Sequence, residues 1–280
     1  MLKKLLKYEF RATARRYGGL YLALLGVSVL FGLSLRGGIY RNVQSNLYDT
    51  YVAVMGLVYT AVLIGTVVVT IMTIEQRFCR NLLGREGYLM HTLPVTEVQL
   101  VTSKLISSTV WSVCSILMAG FSFGLMGFIL VIDIGFIDQL PLLMSKLCEA
   151  FRYHFDGSFW GAMAFAGLLC FVRMVSIIAC IYAACMMSHQ FKQHSTLAGI
   201  LSFLGFQMAE GWLEHHLGVG TSAYEVAIYT MVGDGGSIKN ALSAMGFLGS
   251  QVLSLTVAVA FGVLWFGLTV WLMRNRLNLE

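Results

Sequence analysis

Charge is what this chain has least of. Asp, Glu, Lys and Arg make up 12% of its 280 residues, against roughly a quarter in a soluble globular domain, while 58% are hydrophobic and the mean hydropathy is +0.76. That balance excludes a soluble fold and predicts an all-α integral membrane protein, since helices are the ordinary way to satisfy backbone polar groups in lipid. A phosphate loop is also missing. No G-x-x-x-x-G-K-[ST] run occurs, and Lys104, preceded by Thr102 and Ser103, lacks the required glycines, so this chain is not expected to hydrolyse ATP. No C-x-x-C pair occurs among the six cysteines, which argues against a disulfide framework or a zinc site. Cys114, Cys170, Cys180 and Cys185 fall in apolar runs and read as small fillers. Internal repeats are absent, against a carrier built on inverted repeats.

What the chain does have is six apolar runs, approximately 17–35, 51–74, 105–132, 159–187, 196–213 and 248–273, each near the roughly 17 to 25 residues that cross a bilayer. They predict six transmembrane helices in a single membrane domain covering 1–280. The fifth run is the least apolar, with Glu210 and Glu214 at its end. Placing the N-terminus in the cytosol puts thirteen of the 19 Lys and Arg inside and five outside, with Arg173 within a span. This asymmetry predicts cytosolic termini and places Cys79 inside and Cys148 outside. The net charge of +5 is then a topology signal with some attraction to anionic lipid, and implies no nucleic-acid partner.

Residues 1–16 alternate Leu2, Leu5, Leu6 and Phe10 with Lys3, Lys4, Lys7 and Arg11, the pattern of an amphipathic helix in the membrane interface. The stretch is too long and amphipathic for a secretory leader, and no A-x-A site follows, so cleavage is not expected. The long outer connections, 133–158 and 214–247, contain apolar patches suited to short helices.

The polar island 75–104 separates two spans. Its basic residues Arg77, Arg80, Arg85 and Lys104 favour the cytosolic side. Its Leu82, Leu83, Tyr88, Leu89, Met90 and Leu93 are too apolar for a solvated linker, and Gly84, Gly87 and Pro94 punctuate it as short helices joined by turns. A docking surface is the expectation. Arg80, Arg85, Glu86, Tyr88 and His91 are the side chains best able to supply charged or aromatic contacts.

Arg173 stands mid-span, where arginine costs roughly 2.5 to 3.5 kcal/mol to insert. Glu210 is its candidate counter-charge. Two readings stand: a structural ion pair or snorkelling arginine, and a residue of a substrate path. Gly120-Phe121-Ser122-Phe123-Gly124 matches both a hydrolase elbow and a G-x-x-x-G packing face. Its place in an apolar helical run favours packing. Glu210, Glu214, His215 and His216 form a polar rim, and no metal site is expected because adjacent histidines on a helix point apart.

With its basic amphipathic start, six spans and REGYLMHTLP between spans two and three, the chain resembles the permease subunit of a type-2 ABC exporter. The likeness is to small bacterial permeases with a GYL-x-x-TLP motif, here Gly87, Tyr88, Leu89, Thr92, Leu93 and Pro94. The resemblance implies a bacterial cytoplasmic membrane and a permease that pairs with a second copy or homologue. It implies an N-terminal helix and a cytosolic coupling helix that contact a separate ABC ATPase binding ATP and Mg. Arg80, Arg85, Glu86, Gly87, Tyr88, His91, Leu93 and Pro94 would form that interface, with no catalytic residue in this chain. A hydrophobic or amphipathic substrate (peptide, lipid or drug) would leave by alternating access. The competing readings are a self-contained channel or secondary carrier using Arg173 and Glu210, and an intramembrane hydrolase using Ser122.

Overall fold

A computed structural model describes residues 2–41, 46–79, 96–131, 141–142, 145–146, 149, 157–191, 194–217 and 245–275. Six long helices account for nearly all of them, and no strand occurs among the described residues. They are α1 (Leu2–Arg41), α2 (Asn46–Phe78), α3 (Glu97–Val131), α4 (Gly157–Ser188), α5 (Ser195–His216) and α6 (Met245–Asn275). Five contain stretches long and apolar enough to cross a membrane: Leu6–Gly37, Leu47–Phe78, Glu97–Leu130, Ala164–Ser188 and Val252–Asn275. This is the architecture of a multi-pass membrane protein. The sixth expected span corresponds to α5, which is not among these five; Gln207, Glu210 and Glu214 lower the hydropathy of its second half.

The chain forms two compact units, Met1–Gln76 with Thr102–Lys146, and Arg77–Val101 with Leu147–Glu280. In the first, α1 pairs with α3 in one direction and α2 lies antiparallel to both. Tyr17, 1% exposed, stacks on Trp111 at 4.4 Å and 7°, Tyr21 Oη and Ser115 Oγ are 2.9 Å apart, and Gly32 approaches Ile129. From α2, Thr70 meets Ser115 at 3.1 Å and Tyr59 meets Ser122 at 2.9 Å. The start of α1, the end of α2 and the start of α3 therefore share one end of this unit.

Its polarity is inverted relative to a soluble bundle. Thr13, Ser28, Thr66, Thr70, Ser107, Ser112, Ser115 and Ser122 are buried, whereas Leu57, Ile64, Val67, Ile71 and Met72 are exposed. Many of the hydroxyls bond to a carbonyl three or four residues back, as Ser28 does to Leu25 and Thr66 to Val62, both at 2.8 Å. That satisfies them locally, while the outward side chains suit lipid tails, which are as apolar as leucine.

Two boundaries differ from the sequence reading. The segment 1–16 is continuous with the first span, because α1 runs without a break from Leu2 to Arg41. At 1.5 Å per residue its 40 residues extend to about 60 Å, roughly twice the hydrocarbon thickness, so the helix must project beyond the bilayer core. The third helix begins at Glu97, well inside the island. Thr96 caps it, its Oγ1 accepting from the Gln99 N–H at 3.4 Å, in the T-x-x-Q register of a capping box.

In the second unit α4 is the central helix. Its Ser176, Cys180 and Ala184 are buried, forming the small face that the sequence predicts. α6 runs in the same direction as α4 and α5 runs opposite, as the pairs Arg173 with Ser254 and Gly199 with Ser188 require. Where α6 meets α4 at Gly262, a Cβ on that glycine would lie 3.7 Å from the Ser176 Cα.

The G-x-x-x-G face at Gly120 and Gly124 is not used in this way. Both glycines are exposed and a Cβ on either would meet nothing within 4 Å among the described residues, so the described helices do not pack on this face. Gly124→Ala should stabilise by up to about 1 kcal/mol through helix propensity. Gly262→Leu should cost about 1 to 3 kcal/mol by overpacking. Thermal unfolding of the two variants in detergent checks the contrast.

Candidate functional site: charged centres among apolar helices

Arg173 sits within α4 and its guanidinium forms a fork with Glu214 of α5. Nη1 donates to Oε2 at 3.2 Å and Nη2 to Oε1 at 2.6 Å, and Nη2 also donates to the Ser254 hydroxyl of α6 at 3.3 Å. Three helices of the second unit are thus tied at one point. The planar guanidinium matches both carboxylate oxygens, the strongest arrangement available to a side-chain ion pair. Glu214 is only 10% exposed at its side chain and Arg173 30%.

The counter-charge is therefore Glu214, one turn beyond the Glu210 that the sequence suggests. The expected outer connection was placed at 214–247, but α5 continues to His216 and keeps Glu214 within the helix facing α4. Glu210 remains part of the centre. It is buried, it shares a helix face with Glu214 by the i, i+4 relation, and it interacts electrostatically with Glu214 and Arg173. The Trp265 indole of α6 neighbours Glu210, although its Nε1 lies outside hydrogen-bonding geometry and has no acceptor. Two carboxylates consequently share one guanidinium in apolar surroundings.

His215 and His216 do not join this centre. Both are exposed, and His216 Nδ1 turns back to the Trp212 carbonyl at 2.9 Å while its ring lies tilted against Trp212, centroids 4.1 Å apart. The i to i+1 rotation of a helix separates them from the buried Glu210 and Glu214.

A second charged contact, in the first unit, has no counterpart in the sequence reading. Lys104 of α3 forms a hydrogen-bonded ion pair with Glu9 of α1. Their side chains are 4% and 12% exposed. Phe10 packs near Trp111 just beyond, with centroids 6.2 Å apart. Glu9 is the lone acid in the basic stretch before Tyr17, and that charge reversal was the available signal. The sequence predicts Lys104 as a cation of the polar island; the structure places it within α3 with its side chain buried.

The island residues Arg80, Arg85, Glu86, Gly87, Tyr88, His91, Leu93 and Pro94 lie outside the described residues, as do most of 133–158 and 214–247 and Cys148. Ser122 is fully buried in the middle of α3, donating to the Ala119 carbonyl at 2.8 Å. A nucleophile elbow needs a sharp strand-to-helix turn, and a regular helix does not provide one. Comparison with protein families, with curated proteins and with solved structures finds no match.

Proposed function

We propose that this chain is the membrane-spanning subunit of an ATP-driven ABC exporter in the bacterial cytoplasmic membrane. It would work with a cytosolic ABC ATPase and a second permease copy or homologue, and move a hydrophobic or amphipathic substrate outward. The observation that carries this reading is the Glu9–Lys104 pair. It fastens the basic start of α1 to the first turns of α3, which follow the GYL-x-x-TLP segment directly in sequence. An ATPase pressing on that segment would thus move α1 and α3 together, and a buried pair of this kind resists being pulled apart.

The missing phosphate loop supports leaving ATP and Mg to the partner. Both termini are proposed to be cytosolic, which requires α5 to cross. In favour of that, α5 runs antiparallel beside α4 from the Ser188–Gly199 contact to the Arg173–Glu214 pair, a length of about 20 Å at 1.5 Å per residue. The Arg173 centre favours a second reading, a self-contained channel or secondary carrier in which Arg173, Glu210 and Glu214 meet the transported species.

Reconstitution separates the two. The chain alone in liposomes should neither hydrolyse ATP nor release an amphipathic dye, and both activities should appear only with the cognate ATPase. Gradient-driven flux by the isolated chain would instead establish the carrier. Within the complex, changing Glu86 and Tyr88 together to Ala should preserve membrane insertion and weaken ATPase binding by about 2 kcal/mol or more, measured by co-purification. Alanines at His189 and Lys192 should have less effect.

A further inference from the structure

We infer that Cys79 and Cys185 form a binding site for a soft monovalent metal ion, with cuprous copper as the best-matched occupant. The two residues are far apart in sequence, yet within the second unit their Sγ atoms lie within 4.8 Å of one another. No expectation from the sequence joined them, because neither belongs to a C-x-x-C pair.

A buried aromatic stack adjoins the thiols. Phe78, the residue before Cys79, is 0% exposed and stacks on Tyr182, 1% exposed, with centroids 4.2 Å apart and planes at 12°. Tyr182 precedes Cys185 by three residues, so both stand on one face of α4. The ring stack thus sets the approach of the two thiols before any ion arrives. Cys79 also has the wider, π-type helical geometry, just past the end of α2, which recurs at functional sites. Cys185 is 6% exposed and Cys79 is half-buried, leaving an approach from the Cys79 side.

The donor set determines the class of ion. Two thiolates without nitrogen ligands suit soft cuprous copper, whereas Ca, Mg and Mn prefer oxygen donors and structural zinc requires four ligands. Binding is ligand exchange without redox chemistry. Each thiol releases one proton, two sulfur–copper bonds form, the metal remains cuprous, and the bis-thiolate product carries one negative charge. Arg77 stands two residues before Cys79 and supplies a cation to the same end of α2. Glu75 lies one turn before Cys79 on the same helix, but its hard carboxylate oxygen is a poor match for cuprous copper.

The test uses the detergent-purified full chain, kept anaerobic and reduced with a phosphine. Cuprous copper is titrated in competition with bicinchoninate. The unmodified chain should bind one ion that Cys79→Ser and Cys185→Ser each lose, their affinity falling beyond the about 100-fold typical of losing an outer-shell partner. Cys170→Ser and Glu75→Gln should retain it. The absorption edge of the bound copper should show two sulfur neighbours. A footprint on the unmutated chain removes dependence on variant folding: copper should shield Cys79 from alkylation and leave Cys170 reactive, read by mass spectrometry. Equal binding by the Cys79 and Cys185 variants, loss of binding in Glu75→Gln, or no shielding of Cys79 would each overturn the site.

Discussion

Lys104→Met should destabilise the first unit by about 3 to 5 kcal/mol, the usual cost of removing one partner from a buried ion pair. The reason is the residue left behind. With its side chain only 12% exposed, the Glu9 carboxylate would lose the Lys104 ammonium and regain little water in exchange. The paired change Glu9→Gln with Lys104→Met should recover most of that loss, because neutral side chains of similar volume often replace a buried pair at little cost. Unfolding midpoints of the two single variants and the double variant, measured in one detergent, give the coupling energy directly. If the single variants sum to the double, the pair contributes nothing as a pair.

The same set bears on the proposed function. A stable double variant that still assembles with the ATPase but exports slowly would show that the charges hold α1 and α3 together during the working stroke. Export at the parental rate by that variant would remove the pair from the mechanism and leave it a structural contact.

Glu214→Ala should be the most damaging change in the second unit. It removes the forked partner of the Arg173 guanidinium, and about 3 kcal/mol is expected, the low end of the range for a broken buried pair, since Arg173 keeps 30% exposure, the Ser254 hydroxyl and the neighbouring Glu210. Glu210→Gln should cost less, because it removes one of two carboxylates that share a single cation and leaves the fork to Glu214 intact. Reversed order would make Glu210 the true counter-charge. Arg173→Met together with Glu214→Gln should fold nearly as well as the parent, which allows transport to be measured without the charges. Retained export would mark the centre as structural, and loss of export in a folded protein would place it on the substrate path.

Membrane residence and helical class are written in the composition and in the long apolar runs, because lipid removes every backbone partner except the helix's own. The start of α3 had a sequence signal, the capping box at Thr96 and Gln99, that the sequence reading missed because it lies inside the mixed polar island. The small face of Ser176, Cys180 and Ala184 follows from helical spacing alone. What no spacing rule supplies is which face meets which helix. Gly120 and Gly124 have the packing spacing and face outward, while Gly262, which continues the small residues Ser254 and Ala258 at the same spacing, lies against Ser176. Arg173 announces a charge that must be paired, but one helical turn separates Glu210 from Glu214, and only the continuation of α5 through His216 selects the latter. Lys104 with Glu9, and Cys79 with Cys185, join distant parts of the chain. Periodicity describes a helix relative to its own axis; the rotation and offset of neighbouring helices arise from packing, and those decide where the buried charges and thiols meet.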